Sequence, residues 1–266
     1  MPEISVIMAI YNCADTLHSA VDSILNQTFS DWELILCDDG SVDNTYKIAL
    51  DYASKYPEKI RLIKNDNNQG LPASLNNCLA VATGKYIARM DGDDISLCDR
   101  FEKQISFLKE NPDIDCVGTG MTRFDENGDF ENLFLPEFPD KYTLKMYPIC
   151  YHATLMMKKE CYDAIDGYIS SKRTLRCEDI DMWFRFTAKG FIAVNLQECL
   201  YKVREDRNAL KRRKFRYTLN NVKTNLFGFR LLRYPIKYYP FALKPVVSHF
   251  IPYKLKSKIR QIANKK

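Results

Sequence analysis

Short apolar runs alternate with helix-spaced patterns through the first 90 residues, and few folds accommodate that order. Residues 4–10 form an apolar run of strand length, and residues 14–25 carry Leu17, Val21, Ile24 and Leu25 at the spacing of one helix face. Residues 33–37, 60–63 and 85–90 also read as strands, while 43–55 and 71–82 read as helices, the last closed by Gly84. Strand–helix repetition predicts a parallel sheet covered by helices on both faces. Such a sheet binds ligands in the loops at the carboxyl ends of its strands. Here those loops are Tyr11-Asn12, Asp38-Asp39-Gly40-Ser41, residues 65–70 and Asp91-Gly92-Asp93-Asp94.

Beyond a helix over 97–110, stopped by Asn111-Pro112, the pattern changes to hairpin chemistry: a strand over 117–124, then Asp125-Glu126-Asn127-Gly128. Residues 153–158 and 198–203 read as strands, and 179–189 as a helix ended by Gly190. The expected fold class is α/β, with a mixed sheet flanked by helices. At 46% apolar and 12% aromatic the chain is too hydrophobic to stay a coil. Its apolar runs reach about five residues against the roughly 20 that span a bilayer, so neither a spanning helix nor a signal peptide is expected. Nine cysteines without a Cys-x-x-Cys pair indicate neither a disulfide framework nor a zinc site, and fit a reducing cytosol.

A net charge of +5 conceals an asymmetry. Residues 207–266 hold 17 Lys and Arg and no acid, leaving 22 basic and 34 acidic residues in 1–206. Two parts are therefore expected: an acidic body over 1–206 and a basic, aromatic-rich helical extension over 207–266 that associates with an anionic partner. The extension interleaves cations with Tyr, Phe, Leu and Ile, as in Lys211-Arg212-Arg213-Lys214-Phe215-Arg216-Tyr217. That composition suits an anionic membrane surface, where each Lys or Arg contributes about 1 kcal/mol. The competing readings are a nucleic-acid arm and a solvated helical face. Nucleic acid is not the expected partner.

Asp91, Asp93 and Asp94 place three carboxylates at one strand end, with Gly92 permitting close backbone approach. Oxygen ligands at this density suit Mg²⁺ or Mn²⁺, and the alternative is an acidic turn capping the next helix. A second acidic loop, Asp38-Asp39, on the same rim favours the metal. Asp43 reads as a helix N-cap.

Five segments in register resemble the inverting family 2 glycosyltransferases of GT-A fold, of the bacterial O-antigen or capsule type. They are residues 4–12, Asp38-Asp39-Gly40-Ser41-Val42-Asp43-Asn44-Thr45, Asn68-Gln69-Gly70, residues 84–94 ending in Asp91-Gly92-Asp93-Asp94, and Tyr151-His152-Ala153-Thr154 with Glu178-Asp179. The likeness covers about residues 3–205. It implies that Asp39 hydrogen-bonds the uracil ring of a UDP-sugar and that residues Ala9 to Tyr11 pack on the base, with Asp38 and Gly70 in the same nucleotide site. Asp91 and Asp93 match an Asp-x-Asp pair, Asp93 as metal ligand and Asp91 as metal ligand or ribose contact. Asp179 matches the general base that deprotonates the acceptor hydroxyl. His152, Glu178 and Trp183 are candidate acceptor or diphosphate contacts.

Local alternatives stand beside these roles. Asp179 also reads as a helix N-cap, Asp181 as an i,i+4 partner of Arg185, His152 as a satisfied structural histidine and Trp183 as a core aromatic. His18 reads as inert. The resemblance departs at Ala9 and Cys98, where the family often has Pro, without removing a functional group. It implies transfer of one hexose, glucose or galactose, to a polyprenyl-diphosphate saccharide at the cytoplasmic face of the inner membrane. Two other classes fit the residues less well. A sugar nucleotidyltransferase would need a Gly-rich basic phosphate loop that Tyr11-Asn12-Cys13-Ala14 does not provide, and a non-catalytic membrane scaffold would not need intact acidic motifs.

Overall fold

A computed structural model describes residues 1–205 and 214–251. Strands β1 (Ile4–Ile10), β2 (Trp32–Asp38), β3 (Ile60–Lys64) and β4 (Tyr86–Asp91) pair in parallel in the order β3-β2-β1-β4. Helices α1 (Ala14–Leu25), α2 (Thr45–Lys55) and α3 (Leu71–Val81) make the connections. Because side chains alternate along a strand, β1 feeds two cores. Ile7 joins Ile35, Ile87 and Leu75 on one face, while Val6 and Met8 join Leu34, Leu17 and Ala88 on the other. Burial on both faces explains why β1 reads as an unbroken apolar run.

The second half extends this sheet. After β5 (Ile95–Ser96) and α4 (Arg100–Glu110) come β6 (Cys116–Asp125), β7 (Gly128–Leu133), β8 (Met156–Lys158), α5 (Lys159–Ala164), α6 (Glu178–Ala188) and β9 (Ala193–Arg204). Strand β8 pairs antiparallel with β4 and β6, and the order runs on as β4-β8-β6-β9-β5, with β7 on β6. The sheet is therefore mixed, as expected.

Three differences from the sequence reading have physical causes. Residues 152–154 form a 3-10 turn rather than strand, because Thr154 is drawn inward: its hydroxyl donates to Tyr151 and Thr119 carbonyls and accepts from Thr119 N–H. Strand β9 begins at Ala193, five residues before the alternation became legible. The third concerns the basic extension, which contributes a 17-residue helix, α7 (Phe215–Leu231), then a 3-10 segment (Ile236–Leu243) and α8 (Lys244–Phe250).

Helix α7 packs on α6, and Phe229 is fully buried with its ring edge-on to Phe184 at 5.9 Å. The compositional boundary at 206 is thus not a packing boundary. Phe229, Leu232, Tyr234 and Ala242 share one core with the acidic body, whereas α8 buries none of its residues. Residues 206–213 and 252–266, which carry the basic clusters around 211 and 254–260, lie outside the described residues.

Candidate active site

The carboxyl ends of β1, β2 and β4 lie side by side, since Ala9 pairs with Cys37 on one flank and with Asp91 on the other. Asp39 follows β2 and is buried. Its Oδ1 accepts from Asn65 Nδ2 and Gln69 N, and its Oδ2 from Gly70 N, each at 2.8 Å. These bonds fix the 65–70 loop onto the rim, and Oδ2 keeps capacity for another donor. Gly70 turns that loop with φ +89°, and at Gly40 (φ +72°) a Cβ would stand 2.9 Å from the Asn67 carbonyl carbon. Both positions require glycine. Asp38 is also buried: Oδ2 accepts from Ser41 N, while Oδ1 has no partner among the described residues. Tyr11 stays 47% exposed at the β1 end. Asp43 is not the N-cap that the sequence indicates: Asn44 takes that position, and Asp43, one residue earlier, accepts from Thr45 N at 2.9 Å and from Ala14 N at 3.2 Å, bridging the starts of α2 and α1.

The acidic loop divides its labour. Asp94 is buried, accepts from Arg204 N at 2.8 Å, and is pushed up to about 8 by burial and then by the charges of Asp91 and Asp93. Asp91 and Asp93 instead face a cleft of about 1180 Å³, shared with Asp179. Asp91 Oδ1 is held by Arg89 at 2.5 Å, its N–H donates to Tyr201 Oη at 3.2 Å, and no neighbour donates to the Asp93 carboxylate among the described residues. The Asp93 carboxyl is raised, first by desolvation and then by Asp91. Two carboxylates open to a cleft fit a Mg²⁺- or Mn²⁺-type ion that completes its shell with water and substrate phosphate oxygens. They do not form a closed cage, and no cluster of three or more metal-ligating side chains occurs among the described residues.

Asp179 stands in the first turn of α6 and is partly buried. Burial raises its carboxyl, and the Ile180 N–H and Arg89 oppose the shift without cancelling it. Glu178 beside it is raised by burial and then by Asp179, but it does not line the cleft. His152 bonds Tyr168 Oη through Nε2 at 2.8 Å, and Tyr168 in turn bonds Tyr162 at 3.1 Å. Burial, then the Arg89 charge, hold His152 well below its ordinary range, so it stays neutral as a structural anchor beside the site.

Trp183 is corrected outright. It lies one turn along α6 from Asp179 and on nearly the same face, but it is fully buried, edge-on to Phe186, and does not line the cleft: the helix enters the core after its first turn. Asp181 is likewise structural, buried between Arg173 at 2.6 Å and Arg185 at 2.8 Å. His18 lies on α1, bonded to Tyr52.

Sequence reasoning missed Arg89. It is 4% exposed, lines the cleft, and its charge acts on Asp91, Asp179, Glu178 and His152. The available signal was an arginine inside the apolar run Tyr86-Ile87-Ala88-Arg89-Met90. The contribution of Lys214, Tyr217 and Lys244 to the cleft was missed too, because nothing local links them to residues more than a hundred positions earlier.

Comparisons with known proteins agree with this geometry. The profile of Glycosyl transferase family 2 matches residues 5–168. EpsE of Bacillus subtilis (strain 168), provisionally named a glycosyltransferase, is 48% identical over 252 residues, covering 94% of this chain and 90% of EpsE. The O-antigen biosynthesis glycosyltransferase WbnJ of Escherichia coli is 34% identical over 207 residues, covering 76% of this chain and 79% of WbnJ. Among solved structures, residues 1–349 of S. aureus TarS in complex with UDP-GlcNAc superpose with a TM-score of 0.70 at 14% identity, over 93% of this chain and 71% of that one. With the GT-A-type mixed sheet, the acidic rim and these relatives in agreement, the chain belongs to glycosyl transferase family 2.

Proposed function

We propose that the protein is a metal-dependent, inverting transferase that moves one hexose from a UDP-sugar to a hydroxyl of a lipid-linked saccharide in bacterial surface-polysaccharide assembly. The observation that carries this reading is that Asp91, Asp93 and Asp179, far apart in sequence, open onto one cleft. The process is supported by the O-antigen role in WbnJ's name, and the donor class by UDP-GlcNAc in the TarS complex.

In this reading the nucleotide lies across the ends of β1 and β2, with Ala9 and Tyr11 against the base and Asp38, Asp39 and Gly70 around it. Asp39, pre-set by three donors, accepts the uracil N–H at its free lone pair. Asp91 and Asp93 hold Mg²⁺ or Mn²⁺, which when bound supplies positive charge to the departing diphosphate. Asp179 takes the acceptor proton, and its raised carboxyl is a better base than an ordinary aspartate. A single displacement inverts the anomeric carbon, whereas retention would need a nucleophilic carboxylate on the opposite sugar face.

Peripheral attachment to the anionic cytoplasmic leaflet is part of the proposal. Ile236 is 86% and Phe250 72% exposed beside Lys237 and the basic chain that follows, and no helix of the described residues is long and apolar enough to cross a membrane. The test is UDP release by purified protein with Mn²⁺ or Mg²⁺, with UDP-glucose, UDP-galactose and UDP-N-acetylhexosamines screened against a synthetic lipid-diphosphate saccharide. Acceptor-dependent release from one donor supports the reading. Absence of UDP binding overturns it in favour of a scaffold.

A further inference from the structure

The cleft has a second, cationic wall, and half of it comes from the segment that the sequence marks out as basic. Lys145, Arg176, Lys214 and Lys244 line the same cavity as Asp91, Asp93 and Asp179. None of the four is ion-paired with a carboxylate of the described residues, whereas Arg89 is committed to Asp91.

The wall is built rather than incidental. Lys145 Nζ stands 4.9 Å from the Tyr238 ring centroid, and Lys244 Nζ stands 5.0 Å from that of Tyr147 while donating to the Met146 carbonyl. Arg176 adopts φ +67°, a left-handed conformation that is strained for a non-glycine residue and tends to persist where function requires it. It lies immediately before Cys177 and the first turn of α6, three positions from Asp179.

Like charges gathered around one cavity raise its potential and favour an anion there. Desolvation already holds the Lys244 ammonium below its ordinary range. Asp179 feels Arg89 from β4 and stands on the helix against which α7 packs, so it connects the acidic loop to this wall. An anion on the wall therefore shares one cavity with Asp179. Cations from three chain segments, one of them a guanidinium fork, match a multiply charged group with several oxygens.

We infer that Lys145, Arg176, Lys214 and Lys244 form an anion subsite for a phosphate or diphosphate carried by the acceptor, separate from the acidic loop that serves the donor. This inference rests on the transferase reading and specifies its acceptor as a phosphorylated saccharide.

The test is calorimetric binding of octyl diphosphate and methyl diphosphate to the full chain saturated with UDP and Mg²⁺, compared with the Arg176→Gln/Lys214→Gln double variant. Both residues are exposed, and unchanged UDP affinity reports that the variant is folded. The expected result is binding to the UDP-loaded protein, weakened about tenfold or more in the variant, the loss of roughly one charge-assisted hydrogen bond. Binding of the octyl compound alone assigns the group to a lipid, and equal binding of both assigns it to a soluble phosphate; each supports the subsite. Competition with UDP, absence of binding, or undiminished binding by the variant overturns it. Failure of UDP itself to bind sinks the transferase reading separately, and the same comparison without UDP still decides whether the wall takes an anion.

Discussion

Arg89 Nη2 donates to Asp91 Oδ1 at 2.5 Å, joining two residues two positions apart on β4 and so on one face of the sheet. One buried cation thereby orients an Asp-x-Asp carboxylate and also opposes the upward shift of Asp179.

Removing that cation leaves only the backbone N–H groups of Ile180 and of Asp179 itself to oppose the burial that raises Asp179. The base must be ionised to act, so the acid limb of kcat/KM against pH should move to higher pH in Arg89→Gln. At neutral pH, kcat should fall about tenfold or more. A pH–rate series on both proteins checks this, and an unmoved limb would separate Arg89 from the base.

Asp179→Asn and Asp93→Ala should fail differently. The first should lower kcat by about 10²–10⁴-fold while UDP still binds, because only proton transfer is lost. The second should weaken metal-supported UDP binding itself. Equilibrium dialysis with and without Mn²⁺, set beside turnover, distinguishes them; equal UDP affinity in both variants would contradict the division of roles.

Glu33 offers a stability test away from the site. Burial pushes its carboxyl up, but donation from Ser5 Oγ, Thr83 N and Thr83 Oγ1 outweighs that and holds it below the usual range. A depressed acid contributes stability above its unfolded pKa and loses it as pH falls through the folded one. Glu33→Gln should therefore cost about 1–2 kcal/mol at pH 7, with the difference shrinking through the acid range below about pH 4.3. Urea unfolding at pH 7 and pH 3.5 measures both arms.

A Cβ at Gly228 would overlap the Phe184 ring where α7 meets α6. Gly228→Ala should destabilise the whole protein by about 1–3 kcal/mol through overpacking, and Phe229→Ala by about 3–5 kcal/mol through the cavity it leaves. One cooperative thermal transition, lowered in both variants, is expected. An unchanged transition would mean that α7 is an appendage after all.

The sequence by itself determined the first half of the fold. Ile4–Ile10 and Ala14–Leu25 carry their structure in local periodicity, and a buried parallel sheet tolerates no other pattern at those positions. It also determined the chemistry of the rim, because Asp38-Asp39 and Asp91-Gly92-Asp93-Asp94 are contiguous and fall where strands end. That the basic extension is helical was legible, and α7 is a helix; that Phe229 buries it against α6 was not, because nothing in its basic, Asn-rich and Gly-containing sequence names the partner it packs on. Nor could spacing reveal that Asp94 turns inward while Asp91 and Asp93 turn out, or that Trp183 faces the core and Asp179 the cleft. Each of those choices depends on what packs against the element from distant parts of the chain. Only the tertiary structure decided that the basic extension, which composition set apart, packs on α6 and brings Lys214, Tyr217 and Lys244 to the cleft that Asp91, Asp93 and Asp179 line.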